Sequence, residues 1–399
     1  MNLARITLAS ATIALTLTAC SGEESPPDSG VAPADATTVA DLGVAMLPEA
    51  GRPDAQPRPD AGSMDAAVEC IDDGTMTVDG TEVMVGPAGM HPVSRLGAQA
   101  VLTCRGRRPT LNIGAPVRAQ GCLEFVGGRA SLGDLDRLDV AVFYAVDPDT
   151  NAPTDPTLDG RTGLDRTPTA RIRPDVVLTN EPALCPNGIR MVMGREAEGP
   201  DTIRTDLEYV IRTRSSSVGA AGEPLWVDQY HWGITIRSDQ IDGASADRCS
   251  PTTCSGRIDL VLARRSALRA IAGQTGAMIA GLADLDDHVG SGHLMIQALD
   301  CTGLTMSNVS AGFAPAAAAR SYLTAGYGYS NMATTTSTAG ILLGLGFTGT
   351  SSVAPRQVTV GAALSLDGMC AEPYAGRAVP VYPDAISLVR LGRENTIVP

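Results

Sequence analysis

Tyr230-His231-Trp232-Gly233-Ile234-Thr235-Ile236-Arg237 alternates large apolar side chains with polar or small ones. A period of two is that of a strand buried on one side. It puts Tyr230, Trp232, Ile234 and Ile236 on one face and His231, Thr235 and Arg237 on the other. The same period recurs outward from this stretch. Val140, Val142, Tyr144 and Val146 alternate along 138–146. Ile341, Leu343, Leu345 and Phe347 share a face opposite Gly344 and Gly346, and Val358, Val360, Ala362 and Leu364 alternate with Gln357 and Thr359. Turn residues separate these runs, which predicts a mostly-β chain built as an antiparallel β-sandwich. One short helix is expected at 258–272, where Leu260, Ala263, Ala267, Leu268 and Ile271 fall near a 3–4 spacing and Gly273 is placed to stop it.

The chain has 399 residues, 44 acidic and 30 basic, for a net charge of −14. That sign argues against a nucleic-acid partner, whose phosphates reward basic surfaces. Every one of the 30 basic residues is Arg. Without lysine there is no P-loop lysine, no Schiff base and no lysine general base. Aromatic residues make up 4% of the chain, so the core is expected to rest on Val, Leu, Ile and Ala.

Residues 21–65 stand apart, with seven Pro, nine acids and two Arg, Arg52 and Arg58. No helix or strand period survives those prolines, and the composition is that of a disordered tether. A flexible chain of that length has a root-mean-square reach of roughly 35–40 Å. The remainder is expected as a β-sandwich-like domain over 66–215 and a second β domain over 216–399. The boundary is drawn from Gly199-Pro200 and the polar run Ser215-Ser216-Ser217 to Gly222.

Beyond residue 65 there are eight cysteines: Cys70, Cys104, Cys122, Cys185, Cys249, Cys254, Cys301 and Cys370. An even count in an exported chain reads as a disulfide set, whose connectivity the sequence leaves open. Serial sandwich modules favour neighbours: Cys70–Cys104, Cys122–Cys185, Cys249–Cys254 and Cys301–Cys370. Zinc needs close Cys/His pairs. Only Cys249 and Cys254 are close, and no second pair or nearby His accompanies them.

The export assignment rests on residues 1–20. Arg5 supplies a positive start, Ile6 to Ala19 is an uncharged and mostly apolar run, and Leu17-Thr18-Ala19-Cys20 ends it. The run is too short for an ordinary bilayer span. This order resembles the signal peptide and lipobox of bacterial lipoproteins. The resemblance implies lipid attachment at Cys20, removal of the residues before it, and a membrane partner reached through that lipid. Ser21, where an Asp commonly marks inner-membrane retention in that family, favours the outer membrane.

A second resemblance covers about 293–391. Leu294-Met295-Ile296-Gln297-Ala298-Leu299-Asp300-Cys301-Thr302-Gly303 reads as a strand and a D-x-x-G turn. Thr334-Thr335-Thr336 and Gly340-Ile341-Leu342-Leu343 come next, then Pro355-Arg356-Gln357-Val358-Thr359-Val360. This is similar to carboxypeptidase-regulatory-like, transthyretin-like sandwich domains. Leu304-Thr305-Met306 replaces their usual Pro and small residue, and Pro355-Arg356 replaces their Pro-Gly turn. What the resemblance implies is an Ig-like or transthyretin-like fold, not an activity. The peptidase partner of such domains carries H-x-x-E, which none of His91, His231, His288 and His293 begins.

Three clusters are candidate sites. Asp284, Asp286, Asp287 and His288, with His293 beyond, carry metal-ligating groups at close spacing. Asp147, Asp149, Asn151, Asp155 and Asp159 faintly match a calcium loop, but Ala152 and Leu158 hold its glycine and carboxylate positions. The expectation is no cofactor, with calcium as the alternative. Trp226, Tyr230 and Trp232 share a strand parity that suits either a ligand platform or a core. Neither G-x-S-x-G nor H-E-x-x-H occurs. The expectation is a non-enzymatic cell-envelope lipoprotein presenting sandwich domains for adhesion, binding or structure, to a protein or glycan partner. The alternative is an envelope hydrolase for polysaccharide or peptide, with its site around 284–293.

Overall fold

The computed structural model describes residues 70–71, 74–86, 94–95, 98–102, 114–126, 131–135, 138–145, 171–172, 176–186, 188–194, 203–218, 222, 225–238, 241–243, 254–274, 291–324, 328–348, 355–364 and 371–392. Strands dominate them. The first half carries β1 (Thr75–Val78), β2 (Thr81–Met84), β3 (Ser94–Arg95), β4 (Ala98–Gln99), β5 (Arg118–Val126), β6 (Leu138–Tyr144), β7 (Arg171–Ile172), β8 (Val176–Thr179), β9 (Gly188–Met193) and β10 (Glu208–Ser215). The second half carries β11 (Asp228–Thr235), β12 (Ile241–Gly243), β13 (Cys254–Arg257), β14 (Leu260–Ala263), β15 (Gly292–Ala298) and β16 (Ser310–Ala314). It continues with β17 (Ala319–Leu323), β18 (Tyr329–Ser330), β19 (Ile341–Phe347), β20 (Arg356–Leu364), β21 (Glu372–Val381) and β22 (Ala385–Leu391). The α-helix described is α1 (Arg265–Gln274).

The central sheet has nine strands in the order β18-β17-β19-β15-β22-β11-β10-β6-β7. A three-stranded sheet, β16-β20-β21, packs on one face, enclosing a core that includes Leu294, Ile296, Phe313, Val358, Val360, Tyr374 and Val389. A six-stranded sheet, β12-β13-β5-β9-β8 with β14 also on β5, packs on part of the other face. The core there includes Leu123, Ile189, Met191, Tyr209, Ile211 and Trp226. Helix α1 covers the rest of that face, laying Leu268, Ile271 and Ala272 against Met295, Leu343 and Leu388. The mostly-β sandwich expectation holds. The sheets are mixed, because β22 runs parallel to both neighbours, β11 and β15, and β13 and β14 run parallel to β5.

Strand faces differ from the simple alternation at two glycines. Gly233 (φ 74°) and Gly346 (φ 73°) adopt the left-handed region inside β11 and β19. The ladders shift register nearby, between Tyr209 and Ile211 and between Gly292 and Leu294. Each shift reverses the parity of the strand residues beyond it. Tyr230 and Trp232 therefore enter the first core, whereas Ile234 enters the second along with Ile236 just past the strand. Leu343 and Leu345 face α1, and Phe347 turns to the opposite core.

The helix begins later than 258. Leu260-Val261-Leu262-Ala263 is buried throughout and lies beside β5, which suits a strand packed on both sides. The expected domain boundary at 215/216 falls in the connection between β10 and β11, two paired antiparallel strands of the central sheet. Residues 65–399 form one compact unit.

Residues 74–86 make a small layer of their own. Asp79 (φ 47°) and Gly80 (φ 74°) form the two-residue turn that joins β1 to β2, in the backbone region that Asp-Gly favours. Met76, Val78, Val83 and Val85 are buried against the outer face of the three-stranded sheet.

Candidate functional site

A polar constellation among the described residues lies where β14 fits between β5 and the start of β11. Val227 N donates to Ala263 O, and Arg264 N donates to Val126 O, so the backbone here joins the six-stranded and nine-stranded sheets. Gln229 on β11 bridges to β14 when its amide nitrogen faces Val261 O and its oxygen faces Ala263 N. His231 is fully buried beside the same strand. Burial, and then the nearby Arg390 charge, push its imidazole down to about 3, with Val261 acting the other way. It is a neutral ring at physiological pH.

Arg390, two residues along β22 from the strand partner of His231, reaches across the seam. Its Nη2 donates to the Asp259 main-chain oxygen. Asp259 Oδ1 accepts from Cys122 N (2.9 Å), and Oδ2 accepts from Arg257 Nε (2.9 Å). Desolvation and the Asp259 charge raise the Glu124 carboxyl above its ordinary range, while Arg390 and Arg257 oppose them. The seam therefore holds two carboxylates, two guanidinium groups and a neutral imidazole. Asp259 and the two guanidinium groups are bonded to one another and to backbone, while Glu124 and Arg257 stand at the solvent-exposed edge. Among the described residues, no group of three His, Cys, Asp or Glu side chains is placed to hold a metal ion.

A second charged row crosses the other face of the central sheet. Arg214 Nε donates to Asp228 Oδ2 (2.8 Å), and Arg212 Nη2 donates to Asp139 Oδ2 (3.2 Å). Arg212 is almost wholly buried, with its guanidinium 5.7 Å from the centre of the Phe143 ring. Burial lowers its pKa. Arg377 on β21 meets Glu208 on β10 at 2.7 Å, tying the three-stranded sheet to the central one. In a chain without lysine, planar and persistently charged guanidinium groups do this buried pairing.

The sequence candidates separate in space. Trp226, Tyr230 and Trp232 are buried and do not form an exposed platform. The β11 pleat and Gly233 direct Tyr230 and Trp232 into the first core, while Trp226 lies in the second. Trp226 Nε1 donates to Asp134 O, and its ring packs 5.5 Å from that of Phe125. In a chain poor in large side chains, aromatic rings are drawn inward by the area they bury. His293 is also buried, and its Nδ1 accepts from Gly346 N at the β19 bulge (3.3 Å). Asp284, Asp286, Asp287 and His288 lie outside the described residues, as do Asp147, Asp149, Asn151, Asp155, Asp159 and Cys20.

Cys122 and Cys185 are bonded, joining β5 to the turn before β9. Cys70 and Cys301 are also disulfide-bonded. Cys104, Cys249 and Cys370 lie outside the described residues, and Cys254 begins β13.

The polar seam had a signal in the sequence. Glu124 interrupts the run Cys122-Leu123-Glu124-Phe125, and His231 sits between two aromatic residues. What could not be read was that these two strands meet at β14. Comparison with known proteins finds no matching family model, no matching curated protein and no matching solved structure.

Proposed function

We propose that this chain is a lipid-anchored protein of the bacterial cell envelope that presents a disulfide-bonded β body at the end of a spacer. The observation that carries the reading is the order of residues 1–65: Arg5, an uncharged apolar run, Leu17-Thr18-Ala19-Cys20, then a proline-rich acidic stretch. The β architecture and the Cys122–Cys185 bond agree with an oxidising compartment. The body would act by presentation. The lipid anchors it, residues 21–65 space it from the bilayer, and its surfaces meet a protein or glycan. Ser21 favours the outer membrane. The resemblance of 293–391 to carboxypeptidase-regulatory-like modules bears on the fold of this part and not on an activity.

The test is chemical. With no lysine in the chain, an N-acylated Cys20 leaves the mature protein without a primary amine. Purified mature protein is expected to resist an amine-reactive dye under denaturing conditions and to incorporate labelled fatty acid. Cys20→Ala is expected to abolish that incorporation. Dye labelling of the mature wild-type N-terminus, or lack of fatty acid in it, would contradict the assignment.

A further inference from the structure

Three glycines line up across the outer face of the three-stranded sheet. Gly312 on β16 pairs with Gly361 on β20, and Gly361 pairs with Gly376 on β21. The β1–β2 hairpin lies directly on this row. A Cβ at Gly312 would run into the Met84 carbonyl oxygen, and one at Gly376 into the Val78 side chain. A Cβ at Gly361 would stand 2.9 Å from Met76 Sδ. The row thus forms a trough whose depth is set by the missing side chains, and the hairpin fills it with Met76, Val78 and Val83.

The hairpin's ladder is its own. β1 pairs with β2 from Thr75↔Met84 to Val78↔Thr81, as a separate two-stranded sheet. Side-chain packing, rather than a shared ladder, holds it to the body, together with the bond that Ser310 Oγ donates to Gly86 O (3.4 Å), while Met84 points to solvent. At its N-terminal side the attachment changes character. Ile71 N donates to Ala371 O (2.7 Å), and Cys70 is disulfide-bonded. A lone two-stranded hairpin is marginal in water, so its order depends on the trough. Units joined to the body outside its strand ladders open ahead of the strands at the centre of a sheet.

From this geometry we propose that residues 74–86 are a releasable clip. The hairpin opens from the glycine trough as a unit while the central sheet stays closed, and the Cys70 bond is the stop that keeps the opened segment attached. The clip follows residues 21–65 and the bonded Cys70 in the chain, and its independent opening does not rest on the anchoring proposed above.

Hydrogen exchange read by mass spectrometry on the oxidised full chain tests the clip. In the wild type, amides of 75–85 are expected to exchange at least about tenfold faster than those of β15 and β22, yet slower than an unstructured peptide. Gly361→Val is expected to speed exchange of 75–85 about tenfold or more and leave β15 and β22 unchanged. Cys70→Ser is expected to speed the hairpin further, again without effect on β15 and β22. Equal wild-type rates in the hairpin and the central strands would overturn the proposal, as would hairpin amides that exchange like a free peptide. The wild-type comparison stands even if a variant fails to fold. Fatty-acid labelling of Cys20 reports separately on the anchor, so failure of one reading is distinguishable from failure of the other.

Discussion

Asp300 accepts four hydrogen bonds at a single turn. Val101 N donates to Oδ2 (3.2 Å), while Thr302 N (2.9 Å), Thr302 Oγ1 (2.6 Å) and Leu304 N (3.0 Å) donate to Oδ1. Burial works against its charge, and the bonds from Thr302, Leu304 and Val101 outweigh burial to hold the carboxyl below its usual range. The D-x-x-G turn is thus a clamp that holds residues 100–102 as well as a bend. Asp300→Ala strands these donors and is expected to cost about 2–4 kcal/mol in urea unfolding. His231 gives a different pH signature. Its ring stays neutral in the fold down to about 3 but takes a proton near 6.5 when unfolded. Over that window the unfolded chain binds more protons, so stability falls as the pH drops. The slope is at most about 1.4 kcal/mol per pH unit for one proton. The thermal midpoint is expected to fall between pH 6.5 and 4.5, and His231→Leu is expected to flatten that fall. Identical pH profiles for the two proteins would show that another group controls it.

At the scale of single elements, glycine decides both what the sequence shows and what it hides. Gly233 reverses the faces of β11 at φ 74°, with Arg377 Nη1 3.0 Å from where a Cβ would lie. Gly233→Ala is expected to destabilise by about 1–3 kcal/mol. Gly273 lies in the last turn of α1, exposed, with nothing within 4 Å of its Cβ position. Gly273→Ala is expected to stabilise by about 0.5–1 kcal/mol. Chemical denaturation of the two variants reads these opposite signs, and two equal effects would refute the argument from backbone geometry. The same positions explain how far the fold was legible. Alternation found β6, β11, β19 and β20, but a strict period carried past Gly233 and Gly346 puts Ile234 and Phe347 on the wrong faces. Leu260–Ala263 fits a helical spacing as well as a buried strand, and the parallel contact with β5 settles it. Val78-Asp79-Gly80-Thr81, flanked by alternating apolar residues, was a readable hairpin signal.

Across the whole molecule, chain order and spatial order diverge. β22, the last strand described, lies between β11 and β15, and the N-terminal hairpin packs on β20 and β21. No local pattern announces a parallel pairing between strands about 150 residues apart, which is why the buried seam at His231 and Arg390 was not readable as a site. The same interleaving bears on the cysteines. Neighbour pairing presumes modules in series, whereas here Ile71 N bonds Ala371 O and Cys301 N bonds Val101 O (2.9 Å). The first contact brings the chain at Cys70 beside the residue next after Cys370 in sequence, and the second brings Cys301 within three residues of Cys104. Both Cys70 and Cys301 are bonded. Peptide mapping without reduction is therefore expected to recover Cys70 with Cys370 and Cys104 with Cys301, alongside Cys122 with Cys185, leaving Cys249 for Cys254. Recovery of Cys70 with Cys104 and of Cys301 with Cys370 would refute this connectivity. Long cross-links of this kind restrict the unfolded chain more than short ones, by the logarithm of the loop they close. Reducing the first two bonds is thus expected to lower the unfolding midpoint more than loss of the 63-residue Cys122–Cys185 link alone.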